Sequence, residues 1–193
     1  NFTSVNVNNV LHILPDWEYK NFKDKDKIFI RPGMSFGTGH HETTFLMVEA
    51  LIKYRNKGLS LLDLGSGSGI LSIAGKKLQY DRITAVEHDL VCREDINYNF
   101  KINKCTDEIN VCWEDALKWS DFNFDLIVIN IEKNVIKKII KNVKKTNGRF
   151  ILSGLLRENE EEMLNCLSVN NFLIEEIQYR NDWMSINCKK NEN

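Results

Sequence analysis

Residues Leu61 to Ile70, Leu-Leu-Asp-Leu-Gly-Ser-Gly-Ser-Gly-Ile, decide the fold that this chain is predicted to adopt. The apolar run from Leu59 to Leu64 is typical of a buried strand. Three glycines follow, and apolar residues then recur at helical spacing as far as Leu78. A strand, a glycine turn and a helix open a nucleotide-binding α/β unit. Glycines are needed there because the backbone must turn sharply and let a ligand approach without a Cβ in the way.

The chemistry of this turn favours S-adenosylmethionine (SAM) over a dinucleotide. The G-x-G-x-x-G fingerprint, counted from Gly65, would place its last glycine where the chain has Ile70. Asp63 stands two residues before Gly65, and its carboxylate would repel a pyrophosphate but attract an ammonium group. SAM carries an ammonium group, a sulfonium cation and an adenosine. The pattern Asp63, Gly65, Gly67 therefore predicts a SAM site, the alternative being a glycine turn that binds nothing.

Length and composition indicate an ordinary globular domain. The chain has 193 residues, of which 42% are hydrophobic and 27% charged, and its formal net charge is −1. This balance gives no global attraction to nucleic acid or to a membrane, and the sequence contains no run of 18 apolar residues. Five scattered cysteines form no C-x-x-C pair, which predicts reduced thiols, a cytoplasmic location and no zinc site.

Segments typical of strands alternate with segments typical of helices along most of the chain. The predicted strands are 59–64, 82–87, 109–113, 124–131, 149–153, 172–179 and 184–188. This alternation predicts an α/β fold. Its mostly parallel seven-stranded sheet has helices on both faces and ends in an antiparallel strand pair. Residues 1–26 are predicted to be an N-terminal segment or linker, with Leu11, Ile13 and Trp17 as packing points, and 27–193 to be the methyltransferase domain.

Polar residues follow the predicted strands at the edge where ligands bind in such sheets. Glu87 lies 22 residues after Gly65, about where an acidic residue takes the ribose hydroxyls in this kind of fold. Asp115 follows the third strand, where a carboxylate can accept a hydrogen bond from the adenine amino group. Asn130 places an amide near the end of an apolar strand. Taken alone, Glu87 or Asp115 could be a solvated loop acid, and Asn130 could be a buried amide bonded to the backbone. Together they indicate one binding edge.

A second loop, Phe36-Gly37-Thr38-Gly39-His40-His41-Glu42-Thr43-Thr44, leads into a predicted helix. Its glycines allow unusual backbone angles, and its threonines can cap the helix or hydrogen-bond a ligand. Phe36, Gly37 and Thr38 are predicted cofactor contacts on this basis, the alternative being a capped helix start. No metal site is predicted, because adjacent residues such as His40 and His41 do not converge on one point.

The sequence resembles the PrmA family, whose members methylate ribosomal large-subunit protein eleven. The resemblance is carried by residues 32–44, by 62–71, by Asn130-Ile131, by 152–156 and by Asp182-Trp183, and it runs from about Pro15 to Cys188. The F-G-T-G-x-H-x-T-T loop is rather specific for this family and its near relatives, whereas the glycine motif is shared by many SAM enzymes.

The resemblance implies a Rossmann-like, class I SAM-dependent methyltransferase fold, with SAM contacts at Thr44, Gly65, Glu87 and Asn130. Glu87 stands where the family usually has Asp, and Glu132 interrupts the family's Asn-Ile-Leu segment, so the loop on the substrate side is expected to differ. The family also carries a separate N-terminal substrate-recognition domain, which is not found in this sequence. Two interpretations follow: either the sequence is truncated and the segment 1–26 is the remnant next to that domain, or the substrate is different.

The predicted function is SAM-dependent N-methylation of lysine or N-terminal amino groups of a ribosomal large-subunit protein. Asn130 is the predicted catalytic group that orients the amine, with His41 as a candidate base. Contact of the enzyme with the ribosome is compatible with this function, whereas binding to a membrane or to a specific nucleic acid is not expected. One alternative is a related lysine methyltransferase with a non-ribosomal target. Another is a non-catalytic SAM- or RNA-binding module, in which Lys133, Lys137, Lys141 and Lys145 form a basic helix stripe.

Overall fold

The computed structural model of the chain describes residues 4–21, 26–32 and 42–191. The strands are β1 (Val5–Val7), β2 (Leu11–Pro15), β3 (Lys27–Ile30), β4 (Leu61–Leu64), β5 (Ile83–Val86), β6 (Ile109–Cys112), β7 (Leu126–Asn130), β8 (Arg149–Leu156), β9 (Phe172–Arg180) and β10 (Trp183–Lys190). The helices are α1 (Glu42–Lys53), α2 (Ile70–Lys77), α3 (Cys92–Ile102), α4 (Lys133–Asn142) and α5 (Glu160–Val169).

Seven strands form one sheet in the order β6-β5-β4-β7-β8-β10-β9. β4 lies at the centre of the parallel part, pairs with both β5 and β7, and places Asp63 opposite Ala85 and Val128. The last two strands run antiparallel to each other, and β10 is also antiparallel to β8. The predicted fold, a mostly parallel seven-stranded sheet with an antiparallel C-terminal pair, is confirmed.

Helices cover both faces of the sheet, because side chains of a buried strand alternate between its two faces. Leu61 belongs to one apolar core together with Met47 and Leu51 of α1 and with residues of α2 and α3. Leu62 and Leu64 belong to the other core, with α4 and α5. All four residues of β4 are therefore buried, and the loop that follows this strand is held from both sides.

The N-terminal residues form more structure than the sequence predicted. β1 and β2 form an antiparallel pair, β2 pairs in parallel with β3, and the three strands make a second small sheet. Leu11 and Ile13 are buried as expected, whereas Trp17 is 62% exposed and does not belong to the buried core. The domain division between residues 26 and 27 stays a prediction, although β2 and β3 pair across it.

Candidate functional site

The loops that follow β4, β5 and β7 meet at one edge of the sheet. The strands are parallel and in register, and Leu64 lies opposite Val86 on one side and Ile129 on the other. The Gly65 and Ser66 amides both donate to the Val86 carbonyl, at 2.8 and 3.1 Å, which ties the glycine loop to the end of β5. The predicted residues Gly65, Glu87 and Asn130 are therefore brought together, as the strand ends required.

The glycine loop takes a backbone shape that side chains would oppose. Gly65, Gly67 and Gly69 all have positive φ, at 77°, 54° and 77°. A Cβ on Gly65 would lie 2.4 Å from Cγ2 of Ile131, which follows Asn130. Both the left-handed backbone and this close approach require glycine at position 65.

Ile131 is held between two glycines from different loops. On one side its side chain lies against Gly65, and on the other a Cβ on Gly154 would come within 2.2 Å of its carbonyl oxygen. Asn130, immediately before it, lies opposite Ser153 in the β7–β8 pairing. This packing fixes where β7 ends and therefore where the Asn130 amide lies.

The Glu87 carboxylate closes the glycine loop through backbone hydrogen bonds. One oxygen accepts from the Gly67 amide at 2.9 Å, and the other accepts from the His88 and Asp89 amides at 2.9 and 2.8 Å. Glu87 is only 7% exposed. The structure therefore places Glu87 and Gly67 together, while their contacts with the ribose and the rest of SAM stay predictions.

Asp63 is an unusual buried carboxyl group beneath the same loop. It is 1% exposed, and its Oδ2 accepts from the backbone amide and the hydroxyl of Ser72, at 3.1 and 2.7 Å. Burial raises its pKa to about 7, the nearby Glu87 charge adds to that rise, and the two Ser72 hydrogen bonds oppose it. Asp63 thus anchors the first turns of α2, and its predicted attraction for the ligand ammonium would act from within the protein.

Three buried side-chain oxygens have no hydrogen-bond partner within the part of the chain that the structure describes: Thr44 Oγ1, Ser66 Oγ and Asn130 Oδ1. Such groups are rare because leaving one unpaired costs about 1–3 kcal/mol. Ser66 lies in the glycine loop, Asn130 ends β7, and Thr44 lies in the first turn of α1. Unpaired oxygens on two predicted contact residues and in the loop between them fit a ligand with several hydrogen-bond donors, as SAM has.

The remaining predicted contacts are less informative. Asp115 is half-buried, and its Oδ1 accepts from the Leu117 amide at 2.9 Å, so it shapes the turn after β6. Its adenine contact stays a prediction. Phe36, Gly37, Thr38 and His41 lie outside the described residues.

Asn99 is a site residue that the sequence analysis missed. It is fully buried in α3, its Nδ2 donates to the Ser68 carbonyl at 2.9 Å, and its Oδ1 accepts from the Arg31 amide at 2.9 Å. It therefore joins the glycine loop to the end of the N-terminal sheet. Asn103, one turn later, bonds both backbone groups of Phe29 in the same way. The four-residue spacing of the two asparagines was the only available signal, and it does not reveal which backbone groups they bond.

The basic stripe of the alternative binding-module hypothesis is only partly present, the other interpretation of these lysines being a solvated helix face. α4 ends at Asn142, before Lys145, and both Lys133 and Lys137 form ion pairs with Glu162 of α5. These contacts give two of the four lysines a structural role between helices.

Residues 4–21, 26–32 and 42–191 contain no group of three or more His, Cys, Asp or Glu residues that could hold a metal ion. No helix in the same ranges is long and apolar enough to cross a bilayer.

A ribosomal protein L11 methylase of Lactobacillus delbrueckii subsp. bulgaricus has a similar solved structure, with a TM-score of 0.87, 27% identity, and coverage of 99% of this chain and 100% of that one. A putative SAM-dependent methyltransferase of Methanococcus maripaludis, at 20% identity and a TM-score of 0.62, covers 77% of this chain and 85% of that one and shares the fold.

Curated relatives match nearly the whole chain. The ribosomal protein L11 methyltransferase of Caldicellulosiruptor saccharolyticus is 37% identical over 98% of this chain and 63% of its own length. The Bacillus subtilis protein of the same name is 36% identical over 96% and 61%. This chain thus spans less than two thirds of these relatives. Residues 1–191 match the family described as ribosomal protein L11 methyltransferase (PrmA), and the chain belongs to that family.

Proposed function

We propose that this chain is the catalytic part of a SAM-dependent protein N-methyltransferase whose substrate is ribosomal protein L11. Family membership over residues 1–191 and the names of the curated relatives support this assignment. The groups methylated would be lysine side chains, the N-terminal amine, or both. The reaction would take place in the cytoplasm, and the enzyme would be able to contact the ribosome.

The observation that carries the cofactor assignment is the set of unpaired oxygens on Thr44, Ser66 and Asn130. Ser66 lies within the glycine loop, and Asn130 directly precedes Ile131, which packs against Gly65, where the lack of a Cβ permits close approach of a ligand to the backbone. Three backbone donors occupy three of the roughly four acceptor sites of the Glu87 carboxylate, and the remaining site would accept from a ribose hydroxyl. When bound there, SAM supplies an electrophilic methyl group on its sulfonium.

Asn130 would hold the amine that receives the methyl group. Its side-chain oxygen accepts from an amine N–H, which orients the nitrogen lone pair, and the packing of Ile131 keeps this oxygen in place. A lysine amine has a reference pKa of about 10.4 and an α-amine of about 8. The site must therefore bind the neutral amine, and burial at Asn130 would favour that form because desolvation disfavours the charged ammonium.

Positioning would supply most of the rate acceleration. Among the described residues, the buried ionisable groups nearest to Asn130 in the chain or the sheet are Asp63 and Glu87, and both are already bonded to backbone groups. His41 remains the proposed candidate base. Holding two reactants in line converts a bimolecular step into an effectively unimolecular one, worth up to roughly 7–11 kcal/mol of the barrier.

A methylation assay tests the proposal. The purified protein would be incubated with tritiated SAM and ribosomal proteins from cells lacking the enzyme, alongside Asn130→Ala and the exposed control Asn142→Ala. We expect label in L11 with wild type and Asn142→Ala, a large loss with Asn130→Ala, and amine methylation by mass spectrometry. Label in a different protein would contradict the substrate, and absence of label despite measured SAM binding would contradict the activity.

A further inference from the structure

A broad cleft lies away from the site described above. Its volume is about 1350 Å³, and it is lined by the carboxyl ends of α2 and α3, the turn before β5, and residues of the N-terminal sheet. The charged lining residues are Lys20, Lys57, Lys76, Lys77, Asp81, Lys104 and Glu108.

This cleft opens at the opposite edge of the sheet from the glycine loop. α2 begins at Ile70, directly after the glycine loop, and ends at Lys77 in the cleft. Its eight residues span about 12 Å at 1.5 Å per residue. The two places therefore lie at opposite ends of one helix, and a ligand in the cleft would not occupy the SAM site.

Positive charge dominates the cleft. Five lysines and two acidic residues line it, so its formal charge is 5 − 2 = +3, whereas the whole chain carries −1. Lys76 forms an ion pair with Glu108. The other lysines that matter here are Lys57, Lys77 and Lys104. Among the described residues, none of these three has a carboxylate within ion-pair distance. A +3 cleft on a slightly acidic protein concentrates anions locally.

Lys77 differs from ordinary surface lysines because it is half-buried. Burial lowers the pKa of Lys77. The charge of Lys104 lowers it further, while the charges of Asp26 and Glu108 act in the opposite direction. Withdrawing an ammonium from water costs free energy unless an anion lies close to it. Lys137, by comparison, has a carboxylate partner in Glu162, and its pKa is raised. The cleft thus holds a desolvated cation whose charge is not neutralised by a direct partner.

Helix dipoles explain part of this arrangement. Lysines in the last turn of a helix stabilise its negative end by about 0.3–1 kcal/mol, and both Lys76 and Lys77 lie in the last turn of α2. This effect operates at an exposed surface, so it gives no reason for Lys77 to be half-buried or for Lys57 to line the same cleft.

We propose that this cleft binds a phosphate-bearing ligand, with Lys77 and Lys104 contacting phosphate oxygens and Lys57 lying along the wall. Lysine binds phosphate as a point charge. The volume exceeds the roughly 300–1,000 Å³ of ordinary small-molecule pockets, which favours an extended ligand over a single phosphate. A polyphosphate and the backbone of an RNA strand share this chemistry, and the experiment below separates them.

Binding would be measured for three probes: a twelve-nucleotide single-stranded RNA, tripolyphosphate, and poly-glutamate of similar charge to the RNA. Each would be titrated against wild type, Lys77→Met, Lys104→Ala and the control Lys138→Met, which changes an exposed lysine of α4 outside the cleft. Thermal unfolding checks that each variant folds, and SAM titration checks that the other site is intact.

We expect one or both phosphate probes to bind, with poly-glutamate at least tenfold weaker. Lys77→Met and Lys104→Ala should each weaken binding about tenfold and flatten its salt dependence by about one unit of slope for RNA. Lys138→Met and SAM affinity should not change. Tighter binding of RNA than tripolyphosphate identifies a nucleic-acid backbone, and the reverse identifies a free polyphosphate. Equal binding of poly-glutamate, equal effects of Lys138→Met and Lys77→Met, or no binding at low salt would each overturn the proposal.

Discussion

Replacing Asp63 by Asn should change how the stability of the protein depends on pH. The folded state holds this carboxyl group at a pKa of about 7, against an ordinary value of 3.8, because burial disfavours the charged form. A raised carboxyl pKa stabilises the fold at low pH, and this contribution is lost as the pH rises from about 4 to about 7. The side chain of Asn has the same shape, stays neutral, and can still accept both Ser72 hydrogen bonds.

The magnitude follows from the pKa. On going from pH 5 to pH 8, stability falls over the first two pH units or so, up to the folded-state pKa of about 7. Above that pH the carboxyl group is ionised in both the folded and the unfolded state. Two units at 1.36 kcal/mol each give a loss of about 3 kcal/mol in the free energy of unfolding. Asp63→Asn escapes this loss, so relative to wild type it should gain about 3 kcal/mol between pH 5 and pH 8.

Urea unfolding at several pH values measures this difference. Asp125→Asn is the matched control, because hydrogen bonds from the Ser60 amide and hydroxyl lower the pKa of Asp125. A lowered pKa contributes stability that is present above pH 4 and lost on acidification, so this variant should be destabilised and show no gain at pH 8. If the difference in unfolding free energy between wild type and Asp63→Asn stays constant from pH 5 to pH 8, the raised pKa of Asp63 is refuted.

The same carboxyl group should link SAM binding to protons. If the ligand ammonium acts on Asp63, binding favours the ionised form and lowers its pKa, so a proton is released near pH 6–7 and affinity rises with pH. Calorimetry in buffers of different ionisation enthalpy detects such release. Wild-type binding without proton release, or equal release by Asp63→Asn, would contradict the ammonium contact.

Two substitutions test the architecture of the site. Gly65→Ala should lower the free energy of unfolding by about 1–2 kcal/mol because of its left-handed backbone, and further because its Cβ would lie 2.4 Å from Ile131. It should also abolish SAM binding. Gly58→Ala is the control, since it also has a positive φ, 85°, but its Cβ would have 3.9 Å of clearance, so it carries the backbone cost alone. Equal urea midpoints for these two variants would argue against the clash. Asn99→Leu should lower stability by about 2–6 kcal/mol, because it leaves two backbone groups unpaired at about 1–3 kcal/mol each, and should weaken SAM binding in calorimetry, while exposed Asn97→Ala should do neither.

The central unit of the fold was predictable because local pattern and tertiary role agree there. The run around β4 is apolar on both faces, and the glycines after it leave few alternatives to a strand, turn and helix. Since parallel strands end at a common edge, the positions of Glu87 and Asn130 followed from strand boundaries alone. The structure confirmed this grouping of the two residues at one edge.

Other features depend on contacts between segments far apart in the chain. Asn99 bonds backbone groups of Arg31 and Ser68, which lie 68 and 31 residues away, and a single sequence gives no sign of such partners. The strands β1 and β2 are short and acquire their order by pairing with each other and with β3. The lysines of α4 have the spacing of a solvated stripe, and only the position of α5 reveals that Glu162 pairs with two of them.

The central claim is that the unpaired oxygens near the glycine loop exist to bind SAM. The most direct test is to measure SAM affinity and unfolding free energy for Thr44→Val and Ser66→Ala. Because these hydroxyls lack protein partners in the described part of the chain, removing them should leave stability unchanged or higher. Each should nevertheless weaken SAM binding about fivefold, the equivalent of one hydrogen bond of about 1 kcal/mol. Unchanged SAM affinity in both variants would contradict the account.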